Sequence, residues 1–356
     1  MENLFSIKNV IKEFMDKVGE EPLVLYGAGK YGKYALENIR RYFPKADIRY
    51  FVDDNLIRNN SRVENVEVVS LADAVEHLGK NFYILITNFY VTKVLRRIEE
   101  YGFNLEKVFF NSEILIQDID EKYVTDNIEK LRSVYEMLCD YQSKLIYKTM
   151  IEAHYTRNID VLSRTCGTIQ YFSEQDILNF GTEEVFVDAG AFDGDTVEQF
   201  INVTGGKYKY IYAFEPDTEN FKNLKKKNLP NNIKIFNAGL FNKTDILCFS
   251  ANKGGSSKVQ SDGENKIQVY RFDELNIPDR EVSFVKMDIE GSELKALKGM
   301  EQTILKYKPK LAICIYHKFE DLWELPLYIK KLVPEYKLYI RNYTTYLDEI
   351  VLYATI

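Results

Sequence analysis

Two groups of charged residues in the C-terminal half of the chain have types and spacing that could do chemistry. The first opens in EVFVDAGAFDGDTVEQF (184–200), an apolar run that ends at Asp188, passes Gly190 and Gly194 and enters a helix. Glycine lets backbone come close to a ligand, and Asp195 and Thr196 are residue types that cap the helix that follows. Asp188, Asp193 and Asp195 crowd one turn that lacks GxGxxG, so it suits an ammonium-bearing ligand better than a pyrophosphate. Glu215 closes the next apolar run, YAFEP, where a carboxylate can accept hydrogen bonds from both hydroxyls of a ribose.

The second group lies further along. Asp288 and Glu290 follow the run VSFVKM, and His317 follows LAICIY. An imidazole with an ordinary pKa of about 6.5 suits a general base, so the expectation is that His317 acts as one, with Asp288 and Glu290 orienting its substrate. With His317 they are also acceptable ligands for a divalent ion, although no metal is assigned. One of the two carboxylates also suits capping of the helix SELKALKG, and the pattern does not place Lys286 inward or outward.

These residues need strands to carry them. EVFVDAG, YIYAFEP, IKIFNAG, VSFVKMDIEG and KLAICIYH read as strands alternating with helices at about 195, at TENFKNLKKKN and at SELKALKGMEQTILKY. YKLYIRNY and DEIVLYAT are separated by a short polar turn with no room for a crossover helix, so they pair antiparallel. The polar, glycine-bearing stretch at 251–266 reads as a lid. A second strand-glycine-helix turn lies near the N-terminus: LVLYGAGKYG (Gly27, Gly29, Gly32), with Asp53 and Asp54 ending the following strand, is a dinucleotide fingerprint. FYILIT and KVFF complete that unit. The expected parts are a Rossmann-like α/β domain at 1–117, a helical connector at 118–180 and a C-terminal α/β domain at 181–356.

Composition narrows the ligands. The 356 residues include 46% apolar ones and carry a net charge of −7, which opposes a bulk attraction to nucleic acid or anionic lipid. No apolar stretch approaches the ~20 residues of a membrane span. MENLFSIKNVIKEFMDKVGEE reads as a surface helix rather than a secretory signal, and the four cysteines are dispersed with no CxxC, which fits a reducing cytoplasm. Small polar ligands are expected, and the basic run at 222–228 reads as a solvated helix face.

A parallel α/β sheet closed by an antiparallel hairpin is the arrangement of class I S-adenosylmethionine-dependent methyltransferases. From about residue 168 onward the chain resembles the FkbM family of these enzymes in QYF, EVFVDAGAFDGDT, YAFEPD, GGSSKV, VKMDIEGSELKALKGM and LAICIYHKFEDLWELP. The resemblance implies S-adenosylmethionine as cofactor, held by Asp188, Gly190, Phe192, Asp193, Gly194, Thr196, Glu215 and Pro216, with Asn237 near the adenine. Phe192 departs from the broader methyltransferase pattern, which has a glycine there. The implied activity is O-methylation of a sugar or glycan-precursor hydroxyl in surface-polysaccharide synthesis. Residues 22–90 also resemble the Rossmann-like N-terminal domains of bacterial sugar-modifying enzymes such as sugar N-acetyltransferases. That leaves a nucleotide-sugar site, a nicotinamide dinucleotide site or an empty scaffold open for Gly27, Gly29, Gly32 and Asp53. Two other functions stay in view: a dinucleotide-dependent sugar oxidoreductase and a non-catalytic nucleotide-sugar-binding protein.

Overall fold

The computed structural model describes residues 12, 14–54, 61–88, 90–111, 115, 119, 121–156, 162–163, 165–167, 170–172, 174, 176–227, 229–250, 258–259, 265–345 and 347–356. Most of the 251–266 stretch and the first residues of the opening helix lie outside the described residues. The chain divides into two compact units, one formed by 1–124, 152–159 and 252–257, the other by 125–151, 160–251 and 258–356.

The first unit is built on β1 (Leu23–Tyr26), α1 (Lys30–Tyr42), β2 (Ile48–Val52), β3 (Arg62–Val63), β4 (Val66–Val69), α2 (Leu71–Leu78), β5 (Tyr83–Ile86), α3 (Val91–Glu100) and β6 (Val108–Phe110). Its sheet runs β3-β4-β2-β1-β5-β6 and is parallel except for the β3–β4 hairpin. That hairpin adds two strands to the four expected from the apolar runs. Its turn residues Glu64 and Asn65 both have positive φ (47° and 69°), the conformation a tight two-residue hairpin requires.

Three helices follow: α4 (Glu121–Asp126), α5 (Ile128–Met137) and α6 (Tyr141–Thr156). Residues 125–151 fall within the second unit. Tyr147 donates its hydroxyl to the Leu322 carbonyl at 3.0 Å, and the Arg341 guanidinium reaches Asp140 Oδ2 at 2.8 Å, Ser143 Oγ at 3.0 Å and Glu174 Oε2 at 3.0 Å. A buried guanidinium needs this many acceptors, because each unpaired N–H in the interior costs desolvation energy.

The second unit continues with β7 (Val185–Ala189), α7 (Asp195–Val203), β8 (Tyr210–Phe214), α8 (Thr218–Lys226), β9 (Ile233–Phe236), β10 (Gly239–Leu240), β11 (Asp245–Ser250), β12 (Lys258–Val259) and β13 (Asn265–Tyr270). It ends with β14 (Phe284–Met287), α9 (Glu293–Gly299), α10 (Glu301–Tyr307), β15 (Lys310–Cys314), α11 (Asp321–Leu332), β16 (Lys337–Asn342) and β17 (Ile350–Thr355). Its main sheet runs β16-β17-β15-β14-β7-β8-β9, with β17 antiparallel to both neighbours and the other pairs parallel. The expected class I arrangement, parallel sheet plus terminal antiparallel hairpin, is therefore present. The small sheet β10-β13-β11-β12, which takes in residues 258–259 and 265–266 of the stretch read as a lid, was not expected.

β7 and β14 are buried at every position, as strands covered on both faces must be. Phe186 and Phe284 are register partners whose rings stack at 4.8 Å, and Phe200 closes the cluster from α7. Fully burying each such ring is worth about 1.5–3 kcal/mol. The strand order reverses between β7 and β14, so their carboxyl ends flank the crevice where sheets of this type bind ligands.

Candidate active site

The acidic turn after β7 is built on an ion pair. Asp188 and Lys286 are register partners on neighbouring parallel strands, so their side chains leave the same face of the sheet. Lys286 Nζ lies 3.1 Å from Asp188 Oδ1 and donates to the Gly190 carbonyl at 2.7 Å. Both side chains are almost wholly buried. Burial opposes both charges, but Asp188 and Asp288 hold the Lys286 ammonium above its ordinary pKa. Lys286 thus points inward, beside the ring of Tyr171 at 5.7 Å.

The glycines serve the protein's own packing. A Cβ at Gly190, where φ is +84°, would lie 2.0 Å from the Asp288 carbonyl oxygen, and one at Gly194 (φ +91°) would meet Leu224 at 2.5 Å. The absent side chain at Gly190 lets β7 and β14 end in contact and that at Gly194 makes room for Leu224 of α8, where the sequence suggested close approach of a ligand. Gly194 is also the N-cap of α7, without a side-chain cap bond, so Asp195 and Thr196 occupy the first turn rather than the cap. Asp193 Oδ1 accepts from the Asp195 N–H at 3.2 Å, and Asp195 Oδ1 accepts from the Thr196 N–H at 2.7 Å.

Glu215 stands at the tip of β8. Its Oε2 accepts from the Phe192 N–H and its Oε1 from the Asp217 N–H, both at 2.8 Å, and burial pushes its pKa up to about 7. One backbone donor per oxygen orients the carboxylate and leaves further lone pairs for hydroxyl donors. Asn237 Nδ2 donates to the carbonyls of Glu215 (3.0 Å) and Pro216 (3.2 Å), which fixes the loop that carries the carboxylate. Phe192 has a left-handed backbone (φ +47°) and a side chain 57% exposed, so this ring is not spent on the core.

The second group gathers at the ends of β14 and β15. Asp288 Oδ1 accepts from Tyr316 Oη at 3.0 Å, and Oδ2 faces Tyr171 Oη at 3.5 Å. His317 sits between carboxylates: Nε2 is 3.3 Å from Asp288 Oδ1 and 3.4 Å from Glu290 Oε2, and Nδ1 is 3.2 Å from Glu293 Oε1. Burial opposes the imidazolium, yet Glu293, Asp288 and Glu290 together push the pKa up to about 9. An imidazole in that state already holds its proton at neutral pH, which is a physical obstacle to the general-base role expected for His317. Glu293 Oε1 also accepts from the Ile289 and Gly291 N–H groups at 2.9 and 3.3 Å, closing the Asp288–Gly291 turn. The N-cap of α9 is Ser292, without a side-chain cap bond, so neither Asp288 nor Glu290 caps that helix.

Non-glycine residues with positive φ collect here: Tyr171 (64°), Phe192 (47°), Glu290 (58°) and Glu349 (53°). Each such conformation costs of order 1–3 kcal/mol, and structures retain them mostly at functional sites. Sequence reading passed over Tyr171, Glu293, Tyr316 and Glu349. Tyr171 lies in QYF, which carries part of the resemblance; it is buried and also faces Asp288.

Residues 188–344 match the family Methyltransferase FkbM domain. Over these residues the chain is similar to FkbM methyltransferases. The hexuronic acid methyltransferase AglP of Haloferax volcanii is 28% identical over 141 residues, 37% of this chain, and the match spans 58% of that protein's length. The crystal structure of methyltransferase FkbM from Methylobacillus flagellatus KT superimposes with a TM-score of 0.66 at 24% identity, covering 98% of this chain and 93% of that one, and shows the same fold. The methyl donor of an FkbM domain is S-adenosylmethionine. The residues fit a nucleoside of that kind: Glu215 offers an oriented, buried acceptor pair, and Asp188 Oδ2 is buried without a hydrogen-bond partner.

Outside the FkbM domain, the N-terminal glycine turn is also well formed. Ala28 N–H donates to Asp53 Oδ2 at 2.9 Å, and Tyr26 Oη donates to Asp54 Oδ1 at 2.8 Å. Gly27 (φ +124°) and Gly32 are again demanded by packing, since a Cβ on Gly32 would lie 2.0 Å from the Gly27 carbonyl oxygen. Gly29 is the N-cap of α1 and supplies no side-chain cap, so the helix N-terminus keeps the donor character that favours an anion. Among the described residues, no helix is long and apolar enough to cross a membrane.

Proposed function

We propose that the protein is an S-adenosylmethionine-dependent O-methyltransferase acting on a hydroxyl of a sugar or glycan precursor, a small-molecule acceptor met in the cytoplasm. The observation that carries this reading is the shared location of Glu215 and the Asp288–Glu290 pair along the carboxyl edge of one sheet, on either side of its topological switch. The name of the Haloferax relative, a hexuronic acid methyltransferase, supports the acceptor class.

In this reading Glu215 receives the ribose hydroxyls, Asn237 and Pro216 border the base, and Phe192 covers the nucleoside with its exposed ring. Asp188, Gly190, Asp193, Gly194 and Thr196 form the floor of the turn, with Lys286 neutralising Asp188. Bound there, S-adenosylmethionine would supply an electrophilic methyl for the acceptor oxygen, its sulfur keeping the electron pair of the S–CH3 bond. Asp288 and Glu290 orient the acceptor hydroxyl, and Glu290, the more open of the two, takes its proton. His317 balances their negative charge. General-base assistance of this kind is typically worth ~100 to 10,000-fold.

The domain limits of 1–117, 118–180 and 181–356 belong to the same proposal, with a nucleotide sugar held by Gly27, Gly29, Gly32 and Asp53. The test is transfer of isotopically labelled methyl to a panel of hexuronic acids, neutral sugars and their nucleotide conjugates, read by mass spectrometry. Mild base separates the products, since a methyl ether survives it and a methyl ester does not. Labelled product that is entirely base-labile, or no transfer to any sugar, defeats the reading.

A further inference from the structure

Among the buried polar atoms of the second unit without a hydrogen bond, three belong to the neighbouring side chains of His317 and Glu293. His317 Nδ1 and Nε2 and Glu293 Oε2 are all buried and all lack a hydrogen-bond partner. His317 is 6% exposed and Glu293 0%. Leaving a buried polar group unsatisfied costs about 1–3 kcal/mol, more when it is charged, so Glu293 Oε2 and one ring nitrogen of His317 call for a partner. Ligand atoms of Asp288, Glu293 and His317 lie within 4.8 Å of one another, and the Glu290 carboxylate stands 3.4 Å from His317 Nε2 on the more open side.

We propose that Asp288, Glu293 and His317 bind a divalent cation, with Glu290 at its open side. Two ligands on one ion with bonds of about 2.1 Å stand about 3.0 Å apart when adjacent and about 4.2 Å apart when opposite. The 3.3 Å between His317 Nε2 and Asp288 Oδ1 lies inside that interval. Glu293 Oε1 is held by two backbone N–H groups, which makes this carboxylate rigid. Tyr316 and Tyr171 brace Asp288 in the same way. Fixing of ligands by such outer hydrogen bonds is the usual support of a metal site. Two carboxylates and one imidazole suit Mn2+ or Zn2+. Three carboxylates around one imidazole also leave an excess of negative charge, which a dication offsets as it displaces the imidazolium proton to solvent. The cation's role rests on the methyl-transfer reading above: it would hold the acceptor oxygen and ease loss of its proton to Glu290.

The test uses the full chain after chelator treatment and desalting. Titration with Mn2+, followed by loss of the free-ion electron paramagnetic resonance signal, is expected to show one tight site per chain that Zn2+ displaces. Asp288→Asn and Glu293→Gln are each expected to weaken Mn2+ binding at least tenfold. Because Glu293 is buried, circular dichroism first establishes which variants fold; Asp288, partly exposed, keeps the test decisive if Glu293→Gln does not. Absence of a stoichiometric site for either ion, or equal Mn2+ affinity in Asp288→Asn and the parent chain, overturns the metal site. Calorimetry of S-adenosylmethionine on the metal-free protein keeps the two readings apart. Cofactor binding with sugar methylation that chelator leaves untouched removes the cation alone, whereas Mn2+ binding without sugar methylation removes the function and leaves the site.

Discussion

Glu215 is a carboxyl group with two demands on it. Burial pushes it up to about 7, while acceptance of two hydroxyl donors needs it ionised. Cofactor affinity should therefore rise by about tenfold between pH 6 and pH 8, as the group titrates through its folded value. Glu215→Gln should bind weakly with little pH dependence, and isothermal calorimetry at several pH values checks both outcomes. Stability of the ligand-free protein moves the other way. A carboxyl raised from about 4.5 to about 7 contributes stability that is fully present below the unfolded value and lost as pH rises through 7, up to about 3 kcal/mol from this group. Denaturant midpoints should fall less between pH 5 and pH 8 in Glu215→Gln than in the parent. The importance of Glu215 was legible because a carboxylate closing an apolar strand stands out. Its two backbone donors were not, since Phe192 lies 23 residues away in sequence.

At the scale of elements, the meeting of β7 with β14 is the joint that places both groups. Lys286→Met should destabilise the chain by about 3–5 kcal/mol, because it strands Asp188 without its cation in a site closed to water. Gly190→Ala should be at least as damaging, since the new Cβ collides with Asp288 backbone and the positive φ adds strain. Urea denaturation of each variant measures these effects. If Lys286→Met unfolds at the parent's midpoint, the ion pair has no structural weight. The position of Lys286 could not be read from its strand. Strand faces are recognised by alternation, and a parallel strand buried on both sides has none. The hairpin β3–β4 escaped notice because its strands are two and four residues long, too short for a period to register.

For the whole molecule, the stretch from 118 to 180 matters most. The sequence suggested a connector, while residues 125–151 pack within the second unit through Tyr147, Asp140 and Ser143. A chain of residues 125–356 should therefore unfold at a higher denaturant midpoint than one of residues 181–356, which leaves Arg341 buried without Asp140, Ser143 and Glu174. Equal midpoints for the two chains would show that these helices add nothing to the C-terminal core.

By itself the sequence determined the strand succession of the two large sheets apart from β3 and β4, the antiparallel ending of the second and the acidic residues at its strand tips, since hydrophobic period and strand-end chemistry are local properties. The resemblance to FkbM methyltransferases rested on the same local text, and residues 188–344 match that family. Only the tertiary structure decided what each charge faces. His317, read as a base from its residue type, is enclosed by Asp288, Glu290 and Glu293, and Asp188 is paired with Lys286 across two strands nearly a hundred residues apart. Protonation state is set by burial and by neighbours brought in from distant segments, and that information enters only when the sheet closes.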